Sequence, residues 1–116
     1  MFIMRKIIKK LRMFFILLGA DWELSRAIRL AEKKYLKRGV RFYVIPDMRH
    51  RLVSRSYGEL KKMRKAGMFS HRATEKDFTA ECFYYTASRF GDRISAGRKK
   101  RKRLEWLNYV AQVRGL

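Results

Sequence analysis

Any compact arrangement of this chain must carry thirty Lys and Arg against ten Asp and Glu within 116 residues, a formal charge of +20. Such a body repels itself, so the fold has to spread its cations over outward faces. Solubility alone needs a net charge of only about 2–8 in a small domain. The remainder calls for a polyanion: RNA, DNA or an anionic membrane face. The charge is also uneven. Residues 1–20 hold five basic groups and no acid, and residues 94–116 hold seven against one. Residues 74–93 hold three basic groups against four acids amid aromatics, so this block is expected to face a core rather than a phosphate backbone.

The apolar content, 47% with 14% aromatic, is enough to build a core and excludes a disordered tail. The length fits one domain. A lone cysteine, Cys82, excludes an internal disulfide framework.

Residues 1–12 place Ile3, Met4, Ile7, Ile8 and Leu11 on one helical arc and Arg5, Lys6, Lys9, Lys10 and Arg12 on the opposite one. Met13 to Leu18 is then apolar throughout. That run is too short for a membrane span. A helix packing its apolar arc on the domain is the leading expectation. A membrane-surface anchor over residues 1–18 and a signal peptide ending near Ala20 are the alternatives.

Asp21 has the character of a cap for a second helix, closed by Gly39. Leu24, Ala27, Ile28, Ala31 and Tyr35 form its packing face, and Arg26, Arg29, Lys33 and Lys37 form a basic face. Val40 to Ile45 reads as a strand, Pro46-Asp47 as a turn and Arg51 to Arg55 as the return strand of a hairpin. Ser56 and Glu59 make a capping box for a third helix, with Leu60 and Met63 inward and Gly67 at its end. Thr74 suits the cap of one more helical turn. Ala80 to Ala87 reads as a strand on the composition of Phe83-Tyr84-Tyr85-Thr86, although Ala80-Glu81-Cys82 would suit a helix. Gly91 to Gly97 reads as a loop. A last helix follows, with Leu104, Leu107, Val110 and Ala111 inward and Trp106 and Tyr109 at the edges of that face.

The expected fold is therefore α+β: a three-stranded antiparallel sheet with a ββαβ core, covered by helices on one face. Its parts are an N-terminal amphipathic helix (1–20), the core (21–93), a basic arm (94–103) and a C-terminal helix (104–116).

Catalytic and metal signals are thin. His50, His71 and Cys82 lack metal-ligand spacing. Asp47, Asp77 and Asp92 read as turn and cap residues. Phosphate loops, nucleophile elbows and zinc-protease motifs are missing. The expectation is a non-enzymatic protein with no metal, cofactor or small-molecule substrate, and with Cys82 as a buried thiol.

Binding signals are richer. Arg98, Lys99, Lys100, Arg101, Lys102 and Arg103 are consecutive cations, expected to form a solvated arm until phosphate neutralises them. Arg49, Arg51 and Arg55 flank the hairpin, and Lys61, Lys62, Arg64, Lys65 and Arg72 follow, with His50 beside them. These are expected to converge into one patch. Tyr43, Tyr57 and Tyr85 are the leading candidates for stacking on unpaired bases, with Phe42, Phe69 and Tyr84 nearby. No helix offers the Asn, Gln and Arg pattern that reads base edges, so contacts should be mainly to phosphates. RNA or a ribonucleoprotein in the cytoplasm is favoured over sequence-specific DNA.

The segments Phe42–Pro46, Leu52–Arg55, Leu60–Gly67 and Glu81–Thr86 resemble small basic proteins, of no established activity, carried by phages and mobile elements of gut bacteria. The resemblance covers roughly residues 40–87. It implies a mobile element in a bacterial cytoplasm. In that setting the chain would be a host-defence inhibitor that docks on an RNA-guided nuclease, or another nucleoprotein enzyme, and engages its guide RNA or RNA-binding groove.

Overall fold

A 37-residue helix, α1 (Phe2–Arg38), dominates the computed structural model, which describes residues 2–67 and 74–115. Phe69, His71 and Arg72 lie outside the described residues, as does the side chain of Ile3. At about 1.5 Å per residue α1 is about 55 Å long, and the molecule's longest dimension is 56 Å. The expected break at Asp21 is absent. The inward positions Ile16, Leu17, Ala20, Leu24, Ala27 and Ala31 keep helical spacing straight across that residue and join one core cluster. Asp21 is instead the acceptor for an arginine from the last helix. Gly39, at φ +67°, ends α1 and donates its amide to the Tyr35 carbonyl.

Strands β1 (Phe42–Pro46), β2 (Leu52–Ser56) and β3 (Tyr84–Tyr85) pair antiparallel in the order β2-β1-β3. Val44 lies opposite Ser54 on one side and Tyr84 on the other. The fold class is α+β, as expected, but the sheet is covered on both faces. Phe42, Val44 and Tyr84 pack on α1 and on α4 (Ala96–Arg114). Tyr43, Ile45 and Tyr85 pack on Leu60 and Phe78, from α2 (Tyr57–Lys65) and α3 (Glu75–Glu81). The reason is in β1, where four consecutive buried apolar residues leave no polar face for water.

The Ser56–Glu59 capping box starts α2. At the start of α3 the Asp77 carboxylate accepts from the Thr74 amide at 2.8 Å and from the Thr74 hydroxyl at 3.0 Å. Instead of a single turn, α3 runs to Glu81 and takes Ala80 and Glu81 away from the expected strand, leaving two residues for β3.

The largest departure is at residues 94–103. The basic arm is the start of α4, not an extended segment. Ser95 caps it by accepting from the Arg98 amide at 3.1 Å. Arg and Lys are good helix formers, and like-charge pairs cost only about 0.2–0.5 kcal/mol each. Trp106 and Val110, fully buried, anchor the helix. Trp106 sits at the centre of the packed face, donating Nε1–H to the Ala20 carbonyl at 2.8 Å. Leu104, expected inside, is half exposed.

Candidate nucleic-acid interface

Held in a helix, the Arg98–Arg103 run is divided by the 3.6-residue period among different surroundings. Lys102 turns inward and is 4% exposed. Its Nζ donates to the carbonyls of Ala80 (3.0 Å) and Cys82 (2.7 Å) at the end of α3, where a cation suits the helix dipole. It is therefore no phosphate ligand. Arg98 donates to the Tyr85 hydroxyl at 2.9 Å. Arg103 makes a two-pronged pair with Asp21, at 2.6 and 3.0 Å. The hydrogen bonds and charge of Arg103 hold the Asp21 carboxyl below its usual range.

Two grooves flank this run. One lies between α3 and α4. Arg41, Lys76, Arg98 and Arg101 line it, but Glu75, Asp77 and Glu105 alternate with them. The other lies between α1 and α4. Lys99, Lys100 and Arg103 form one wall, and Arg29 of α1 stands on the other. Its floor is apolar: Leu24, Ile28 and Phe83. Trp22 stands at its edge, 61% exposed, with the Arg26 guanidinium 5.6 Å from its ring centroid. Asp21, already engaged by Arg103, is the only carboxylate among the described residues lining this groove.

The expected patch from the hairpin and α2 does not converge. Arg49 and Arg51 lie at the hairpin tip, where Arg51 meets Glu23 at 3.5 Å and Arg114 meets the same carboxylate at 2.9 Å. The tip turn is held by the Asp47 carboxylate, which accepts from the Arg49 and Arg51 amides. Arg55 pairs with Glu59 at the other end of β2, where Arg38 of α1 also reaches. Lys61, Lys62 and Lys65 are exposed along α2, with Arg64 half-buried beside them. A strand's length separates the two groups.

The stacking candidates divide similarly. Tyr43 and Tyr85 are buried in the second core cluster, so neither can meet a base. Phe42 and Tyr84 are buried in the first. Tyr57 is half-buried against Phe78 with Lys61 4.9 Å from its ring centroid. Trp22 and Arg29, absent from the sequence-derived candidates, are the groove's most accessible aromatic and cation on α1. For Trp22 the missed signal was phase, whereas Arg29 already falls on the expected basic face of this helix. Trp22 and Arg29 fall outside the arc of Leu24, Ala27 and Ala31, and once α1 runs unbroken that arc fixes which way they point.

Cys82 is buried, which pushes its thiol up to about 11 and leaves little thiolate for nucleophilic work. No group of three His, Cys, Asp or Glu among the described residues could hold a metal ion. No described helix is long and apolar enough to cross a membrane. Compared with protein families, curated proteins and solved structures, the chain matches none.

Proposed function

We propose that this chain is a non-enzymatic nucleic-acid-binding protein that takes single-stranded RNA along the groove between α1 and α4. The observation that carries the reading is the composition of that groove: Arg29, Lys99 and Lys100 on its walls, an apolar floor, and an exposed Trp22 at its edge. Cations tracking a backbone beside an aromatic ring are what an unpaired strand needs, because the phosphates meet charge while a base stacks. The groove between α3 and α4 is less suited, since its carboxylates repel phosphate. Duplex DNA offers no unstacked base to Trp22.

Titration with oligouridylate tests this. The chain has two tryptophans, and Trp106 is fully buried, so a change in indole fluorescence on binding reports Trp22. Trp22→Ala should abolish the change and weaken binding by about tenfold, the cost of one stacked base. With about four phosphates neutralised, the log–log salt slope should lie near −3 for a single strand. Binding with unchanged fluorescence, or a slope close to zero, would rule out this groove.

A further inference from the structure

We propose that the outward apolar stripe of α1, from Met4 to Leu18, docks flat on an anionic lipid bilayer. Met4, Ile7, Ile8, Leu11, Phe14, Phe15 and Leu18 recur at helical spacing along one side of the helix, and each is between 51% and 65% exposed. Soluble surfaces seldom leave so long an apolar strip bare. The domain cannot cover it. The inward side of α1 is set by Ile16, Leu17, Ala20, Leu24 and Ala27, and the stripe falls on the opposite side of the same rigid helix. Turning it inward would break the Trp106–Ala20 and Arg103–Asp21 bonds.

Charge selects the occupant. Residues 2–20 hold five cations and no carboxylate. Arg5, Lys6, Lys9, Lys10 and Arg12 occupy the arc opposite the stripe and its borders. Beyond Trp22 the stripe's own side continues as Arg26, Arg29 and Lys33, with Leu36 the one large apolar side chain among them. The covering surface must therefore be apolar within and anionic around. The boundary between headgroups and acyl chains of an anionic membrane has both properties, with long basic side chains reaching up to phosphate. A second copy of the chain would bring ten cations together with no acid between them. An unpaired nucleic acid could stack bases on Phe14 and Phe15 but would leave the aliphatic Met4, Ile7, Ile8, Leu11 and Leu18 uncovered. The helix is not apolar enough to cross, so it lies on the surface.

The test uses the full chain and vesicles of phosphatidylcholine, with or without one-third phosphatidylglycerol, in a flotation assay. Anionic vesicles should bind on the order of 100-fold more tightly than neutral ones. The variant Leu11→Ser/Phe14→Ser/Phe15→Ser keeps every charge, and the three side chains it changes are each more than half exposed. It should lose on the order of 100-fold of the vesicle affinity while its thermal midpoint and oligouridylate affinity hold. Should that variant misfold, Lys9→Gln/Lys10→Gln/Arg12→Gln gives the second arm, with a comparable loss expected. Three results overturn the proposal: no vesicle binding, serine and glutamine variants that bind vesicles as the parent does, or a parent that is dimeric where the serine variant is monomeric. In the last case a second copy covers the stripe. Failure here leaves the oligouridylate result untouched, so the two readings fall separately.

Discussion

Lys102 shows how one residue changes meaning between chain and fold. Within Arg98–Arg103 nothing local distinguishes it from its neighbours. In the structure its ammonium is the tie between α4 and the end of α3, donating to two carbonyls that would otherwise lack this partner. Hydrogen bonds to a charged group contribute about 1.5–3 kcal/mol each when buried. Lys102→Met keeps the stem and loses both bonds but also relieves the cost of burying an ammonium, so the net should be a loss of about 2 kcal/mol, seen as a lower thermal midpoint. Lys100→Met, on an exposed position of the same helix, should leave the midpoint nearly unchanged. Equal effects would mean that Lys102 is solvated like the rest. That a sixfold cation run would hold a structural lysine was not legible beforehand. The acceptors, Ala80 and Cys82, lie about twenty residues upstream and only meet Lys102 once α3 and α4 are packed.

At the scale of elements, most local signals were readable and the junctions were not. The Ser56–Glu59 box, the hairpin, the stop at Gly39 and the inward arc of Leu24, Ala27 and Ala31 all stand as their residue types require. Two junctions were misread for one reason: a local signal was outweighed by packing farther along. Gly19-Ala20-Asp21 resembles a helix boundary, yet Ala20 is buried under Trp106 and the helix runs through. Ser95 to Arg103 resembles a solvated arm, yet Trp106 and Val110 draw it into register. The continuous α1 makes a test available. Gly19 is an exposed helix-interior glycine, and a Cβ there meets nothing within 4 Å. Gly19→Ala should stabilise the fold by about 0.5–1 kcal/mol through lower unfolded-state entropy and better helix propensity. Thermal or denaturant melts measure this. A lower midpoint would mean that the helix bends or opens at residue 19 in solution.

For the molecule as a whole, ten carboxylates cannot neutralise thirty cations, so what matters is where the carboxylates are spent. Glu23 is shared by Arg51 and Arg114, and Glu59 by Arg38 and Arg55, so both ends of the hairpin have their charge partly answered. Glu75, Asp77 and Glu105 sit in the groove between α3 and α4. In the groove between α1 and α4, Asp21 is committed to Arg103, while Lys99, 5.8 Å from the Tyr84 ring centroid, and Lys100 stay exposed across from Arg29. Unanswered cations therefore remain along α1, α2 and the start of α4, and the groove between α1 and α4 sets them beside an exposed aromatic ring, so a single strand should settle there rather than at the hairpin. Both Lys99 and Lys100 are held on a packed helix, so they lose less freedom on binding than a flexible arm would. Reversing them together, Lys99→Glu with Lys100→Glu, should weaken oligouridylate binding at least about tenfold more than Arg51→Glu with Lys62→Glu, although both pairs change the net charge equally. Affinities measured at matched ionic strength, with circular dichroism to check folding, decide it. Equal losses would mean that only the total charge counts and that the groove has no special standing.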